Sequence, residues 1–252
     1  MLRYLRSLWI WTASGGLILL WAPLLAIVRL WDPDPRRLRT ARFFRRLGPA
    51  LARVNPWRVH VSGAENIRSG ETYVVVSNHQ SFADIPVIAH LKLDTKWLGK
   101  AEIFRVPILG WMLRTVGDVP VARSDPRNAA KALLQCARYL RQHCSVVFFP
   151  EGTRSPGGLV LPFNDGPFQL AIRERVPILP LVVAGSGDAL PRDSWLFGPA
   201  HDIELRVLEP VSVGGWSTTQ ASVLGETVRQ RIIAELDRLR GVARQPEPIS
   251  QV

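Results

Sequence analysis

The chain has 252 residues, 47% of them hydrophobic, and a net charge of +11; that is enough for one large core or two small domains, and no internal repeat or linker argues for two. So basic a balance ordinarily points to nucleic acid, but residues 1–60 alone hold eleven Arg against two acids, leaving only +2 for the rest of the chain. The positive charge belongs to the segment that also carries the longest apolar run, which argues against a nucleic-acid partner.

Residues 7–28 carry no charge, with Arg3 and Arg6 before them and Arg29, Arg36 and Arg37 after. As a helix this run is about 33 Å long, enough to cross a hydrocarbon core of about 30 Å. Gly15, Gly16, Pro23 and the interface-seeking rings of Trp9, Trp11, Trp21 and Trp31 suit a helix tilted within one leaflet equally well. No small-x-small cleavage site comes after it, so the segment is expected to stay on the protein. Residues 35–54 then place Arg39, Arg42, Arg46 and Arg53 at helical spacing, with Leu38, Ala41, Phe44, Leu47 and Leu51 on another side. This pattern predicts one basic amphipathic helix, kinked at Gly48-Pro49, facing anionic headgroups; the alternative is a surface helix packed on the domain through its Leu and Phe side. Residues 1–55 are thus expected to be membrane-anchoring helices. The arginines clustered after the apolar run predict a cytoplasmic membrane location, with the catalytic domain on the cytoplasmic side.

From residue 56 the pattern alternates. Strand-like runs at 57–61, 72–77, 96–99, 118–122, 145–149, 178–184 and 202–213 are interleaved with helical patterns at 84–92, 102–114, 126–142, 166–174 and 218–240. The prediction is an α/β fold, a single layered domain over residues 56–240, then a Pro-, Gln- and Arg-rich tail at 241–252. Cys136 and Cys144 fit no metal or redox spacing and read as structural thiols kept reduced. His60, His90, His143 and His201 stand apart at no ligand spacing, so no metal is expected. Neither G-x-S-x-G, nor a Walker loop, nor G-x-G-x-x-G occurs, which leaves serine-hydrolase and nucleotide-binding readings without local support.

Chemistry concentrates in Asn78-His79-Gln80-Ser81-Phe82-Ala83-Asp84, which comes after the strand-like Tyr73-Val74-Val75-Val76-Ser77 and ends at a helix entry, Asp84-Ile85-Pro86. Five residues apart, His79 and Asp84 would lie about 140° apart on a helix and share no helical face. A turn that folds back lets the Asp84 carboxylate accept the imidazole Nδ1 proton and leaves Nε2 as a base. The result is a His-Asp dyad with no serine of its own. Taken alone, H-x4-D is more often a capped turn than a catalytic pair.

Three further blocks lie downstream: residues 100–110, closing with Gly117-Asp118-Val119-Pro120-Val121-Ala122-Arg123; Phe149-Pro150-Glu151-Gly152-Thr153-Arg154-Ser155; and Val176-Pro177-Ile178-Leu179-Pro180. In this order the four blocks resemble the glycerolipid acyltransferase family, whose bacterial members include 1-acylglycerol-3-phosphate acyltransferase, across residues 57–215. The resemblance implies a membrane-bound enzyme of phospholipid biosynthesis that passes an acyl group from acyl-CoA or an acyl carrier protein thioester to lysophosphatidic acid, giving phosphatidic acid without any other cofactor. It makes His79 the general base and Asp84 its orienting carboxylate, with direct transfer and no acyl-enzyme. Lys100, Arg123, Glu151, Gly152, Thr153 and Arg154 become the acceptor site: the arginines grip phosphate, and Glu151 receives a glycerol hydroxyl or orients them. Oxyanion donors are sought among the backbone amides of the turn or of residues 106–110. Acylation of glycerol-3-phosphate or a lyso-aminolipid stays open, and Asn164-Asp165, near the turn where relatives carry a basic residue, weigh against a strictly phosphate-bearing acceptor. A non-catalytic, membrane-peripheral lipid-binding protein stays open as well.

Overall fold

The computed structural model describes residues 1–122, 124–199 and 201–241; the predicted tail from residue 242 onward lies outside them. In chain order it contains α1 (Leu2–Leu30), α2 (Leu38–Arg45), α3 (Leu47–Val54), β1 (Trp57–Ser62), β2 (Val74–Ser77), α4 (Asp84–Ile88), β3 (Thr95–Lys100), α5 (Leu109–Val116), β4 (Val119–Val121), α6 (Pro126–Arg141), β5 (Ser145–Phe148), α7 (Gly166–Glu174), β6 (Ile178–Ala184), α8 (Ser186–Ala189), β7 (His201–Val207) and α9 (Ala221–Leu239). The strands form one seven-stranded sheet in the order β1-β7-β6-β2-β5-β3-β4. All neighbours run parallel except β6 and β7. This is the predicted α/β class with a single sheet.

The central strands are apolar on both faces, as parallel strands covered by helices must be. Every residue of β2, β5 and β6 is buried. Alternation along β2 sends Val74 and Val76 to a core shared with α6, α7 and α9, and Tyr73 and Val75 to a second core with α4. Helix α6 starts sharply because Pro126 occupies its first turn and the Asp125 side chain accepts from the Arg127 amide at 2.9 Å.

Three predicted elements are divided or cut short beside a proline. Residues 35–54 form two helices, breaking at Arg46 rather than at Gly48-Pro49, because the Pro49 ring would meet the carbonyl of Arg45 in a continuous helix. The run 102–114 divides at Pro107 into a 3-10 turn at Ile103–Arg105 and α5. Strand β7 stops at Val207 ahead of Pro210, and only an isolated bridge from Val211 to Ile178 continues the pairing.

Helix α1 is packed on the domain through both of its halves. Toward its start, Ile10 is buried with Ala83, Leu190 and Phe197. The Ser7 hydroxyl accepts from the Phe197 amide at 3.0 Å, and the Arg3 and Arg6 guanidinium groups donate to the Phe197 carbonyl. Toward its end, Leu25 joins Ala41, Phe44 and Leu47 of α2 and α3 and Met112 and Val116 of α5. The Leu and Phe side of α2 and α3 is therefore spent inside the protein, while Arg39, Arg42, Arg46 and Arg53 are exposed.

Candidate active site

His79 comes directly after the C-terminal end of β2, and Phe149 through Arg154 after the C-terminal end of the adjacent parallel strand β5. In open α/β sheets this edge is where loops diverge and ligands bind. Asn78 fixes the departure of the first loop. Its fully buried amide donates to the Val183 carbonyl and accepts the Val183 amide, both at 2.9 Å, so the side chain pairs with β6 as a strand residue would. The loop then turns back as the sequence predicted.

The Asp84 carboxylate is buried, and its Oδ2 accepts from His79 Nδ1 at 2.7 Å, the Gln80 amide at 2.8 Å and the Ser81 amide at 3.0 Å. The same oxygen that orients the imidazole thus folds the loop around it. With Nδ1 held, Nε2 is the nitrogen left for proton transfer. Among the described residues, no hydroxyl or thiol hydrogen-bonds the imidazole. Beneath the ring lies Phe149, stacked with centroids 3.9 Å apart and planes 19° apart.

Glu151 departs from its expected role. Its Oε1 accepts from the His79 amide at 2.6 Å and its Oε2 from the Leu161 amide at 2.9 Å, so both oxygens bind backbone rather than a hydroxyl or a guanidinium. Burial pushes its carboxyl up to about 7, against the pull of the Leu161 and His79 amides. Ser155 closes the other side of the clasp, its amide donating to the His79 carbonyl at 2.7 Å. Gly152 has φ near 74°, a left-handed turn that a side chain would strain. Asn164, at the turn where the sequence departs from the family pattern, hydrogen-bonds the Pro150 carbonyl through both its amide (2.6 Å) and its backbone N–H (2.9 Å). It is a loop closer. The amides of His79, Gln80 and Ser81 are all engaged within this clasp, which removes them from the expected pool of oxyanion donors.

Arg154 crosses over the loop, its guanidinium 4.1 Å from the centre of the Phe82 ring and its Nη1 donating to the Arg192 carbonyl at 2.8 Å. Burial, and then the charge of Arg192, lower its pKa. Among the described residues no carboxylate lies within ion-pair distance of Arg154. Arg192 was not singled out in the sequence, and only its position beside Arg154 marks it. Thr153 is exposed, and Lys100, exposed at the end of β3, sits 3.7 Å from Glu102 with no hydrogen bond to the His79 loop. Arg123 lies outside the described residues. Among those that are described, no cluster of His, Cys, Asp or Glu has metal-binding geometry.

Fold and site together define an α/β protein with a carboxylate-oriented histidine, to which no hydroxyl or thiol among the described residues is bonded, at the C-terminal edge of its sheet. The Acyltransferase family model matches residues 58–184, and the chain belongs to that family. It is 34% identical over 205 residues to a chloroplastic 1-acyl-sn-glycerol-3-phosphate acyltransferase of Arabidopsis thaliana, covering 81% of this chain and 56% of the relative. With 1-acyl-sn-glycerol-3-phosphate acyltransferase alpha of Mus musculus it is 32% identical over 178 residues, covering 70% of this chain and 62% of that one. The chain thus spans somewhat over half the length of these curated relatives. A crystal structure of the 1-acyl-sn-glycerophosphate acyltransferase PlsC from Thermotoga maritima superposes with a TM-score of 0.82 at 26% identity, covering 96% of this chain and 98% of that one.

Proposed function

We propose that this chain acylates the sn-2 hydroxyl of 1-acylglycerol-3-phosphate at a membrane surface, taking the acyl group from an acyl thioester of coenzyme A or acyl carrier protein and releasing phosphatidic acid. The observation that carries the reading is the His79 Nδ1 to Asp84 Oδ2 bond at 2.7 Å in a loop with no partnered nucleophile. The acceptor hydroxyl gives its proton to His79 Nε2 as its oxygen forms a bond to the thioester carbonyl carbon. The tetrahedral intermediate then collapses, the carbon–sulfur bond breaks, and the thiolate leaves as thiol with the proton from the imidazolium. Asp84 holds the tautomer and balances the imidazolium charge. Arg154, which has no carboxylate within ion-pair distance among the described residues, supplies positive charge for the acceptor phosphate, and Glu151 braces the base loop.

The reading of attachment starts from α1. Its exposed apolar residues include Leu5 and Leu8 in the first half and Leu19, Leu20, Leu24 and Ile27 in the second, on the side of the helix away from the buried Ser7, Ile10 and Leu25. A helix held against one domain through both halves lies along the membrane plane rather than through it, so the reading is a monotopic protein seated in one leaflet. Ile10 shares a buried cluster with Ala83 of the His79 loop, which supports a site close to that leaflet.

The test is purified protein with one acyl-CoA and, in competition, lysophosphatidic acid, glycerol-3-phosphate and a lyso-aminolipid, with lipid products read by mass spectrometry. Phosphatidic acid is expected to dominate. A well-folded His79→Ala variant should form none, and Asp84→Asn should retain about 10⁻⁴ of the rate, as when a serine protease loses its orienting carboxylate. Turnover near wild type in His79→Ala overturns the mechanism; preference for another acceptor overturns the substrate.

A further inference from the structure

Resting on the transferase reading, the stack of aromatic rings beneath the base assigns a role to a residue that does no proton chemistry. We propose that Phe149 is a positioning residue for His79, its ring face fixing the plane of the imidazole so that Nε2 points at the acceptor hydroxyl.

A single hydrogen bond at Nδ1 acts as a pivot. The second side-chain torsion of histidine is a broad, shallow one, and a ring tethered at one nitrogen can rock about that tether while keeping the bond. Asp84 therefore fixes which nitrogen is the base, but not the plane in which it lies. A ring stacked at 3.9 Å and 19° removes that freedom, because rocking the imidazole drives its edge into the phenyl face.

Phe149 is itself held. The Trp97 ring meets its edge at 6.3 Å and 66°. Trp97 is buried, its backbone amide donates to Asp118 Oδ1 at 2.9 Å and its indole N–H to Thr95 Oγ1 at 3.0 Å. The Arg45 guanidinium of α2, paired with Asp118, lies over the Trp97 ring, 4.9 Å from its centre. The column Arg45, Trp97, Phe149, His79 thus ties a rigid part of the core to the base, the supporting arrangement that precise catalytic geometry requires.

The experiment compares Phe149→Leu, which keeps apolar volume without a ring face, with Phe149→Tyr, which keeps the face. Phe149→Met replaces the leucine variant if that one does not fold. In wild type and in Phe149→Tyr, the His79 ring protons, assigned by their loss in His79→Ala, should show the upfield NMR displacement of a stacked ring; in Phe149→Leu they should lose it while circular dichroism is unchanged. On lysophosphatidic acid and acyl-CoA, Phe149→Leu should lower kcat on the order of tenfold with both KM values nearly unchanged, and Phe149→Tyr should restore it. In an Asp84→Asn background the same leucine substitution should cost far less, since both residues hold one ring. Ring protons unmoved by Phe149→Leu overturn the proposal whatever the enzyme's substrate proves to be. A tyrosine variant as slow as the leucine one, or losses that simply multiply with Asp84→Asn, overturn it as well.

Discussion

Glu151 shows how one side chain can hold a loop by its backbone. Its two oxygens clamp the amides of His79 and Leu161, so the His79 loop is hung from a buried carboxyl whose pKa burial raises to about 7. A carboxyl with a raised folded-state value binds its proton more tightly folded than unfolded. Its contribution is full below the unfolded value near 4.5 and is lost as pH rises through 7, a swing on the order of 3 kcal/mol. Wild-type Tm should therefore fall between pH 5 and pH 8 by more than that of Glu151→Gln, measured in parallel by calorimetry; identical pH dependence would show that Glu151 does not titrate there. The glutamine variant should also be slow at every pH, because its NH2 faces an amide that needs an acceptor. Arg154 makes the complementary case of a charge without a carboxylate partner among the described residues. Arg154→Ala removes a charge-assisted contact worth about 1.5–3 kcal/mol, so kcat/KM for lysophosphatidic acid should drop roughly ten- to a hundredfold. Lys should recover only part, since an ammonium reproduces neither the two-bond grip nor the stack on Phe82. Unchanged kcat/KM in Arg154→Ala would remove the phosphate from this position.

At the scale of elements, the two faces of α1 differ. One face is apolar because it packs, as at Ile10 and Leu25; the other is apolar although nothing among the described residues covers it. Such a stripe is stable only against a partner, and the neighbouring exposed arginines of α2 and α3 fit an anionic lipid surface. Replacing Leu8 and Leu19 together by Glu should release the protein from anionic vesicles in flotation assays at high salt, where screening leaves the apolar term to hold it. Wild-type protein that is itself washed off by high salt would refute an apolar anchor. The prolines at 49, 107 and 210 shaped the elements in the opposite sense, dividing runs whose periodicity reads as continuous.

For the whole molecule, the N-terminal helices are part of the fold. Leu25 is fully buried among residues of α2, α3 and α5, whereas its neighbour Leu24 is 41% exposed. Leu25→Ala should cost about 2–5 kcal/mol in denaturant unfolding in detergent, and Leu24→Ala far less, although both lie in one apolar run. Equal small effects would mean that α1 is merely tethered. Local pattern was enough for the α/β alternation, for the dyad and for the four motif blocks, because β-branched runs, helix starts and a histidine five residues from an aspartate are written in adjacent residues. What only the tertiary structure decided depends on contacts between distant segments: that Glu151 braces the His79 amide across 72 residues, that Phe149 stacks on the base, that Arg192 stands beside Arg154, and that α1 is packed through both halves. Apolar periodicity reports which residues avoid water. Whether protein or lipid covers them, and which polar group a buried carboxylate meets, is fixed only when the sheet brings the ends of β2 and β5 side by side.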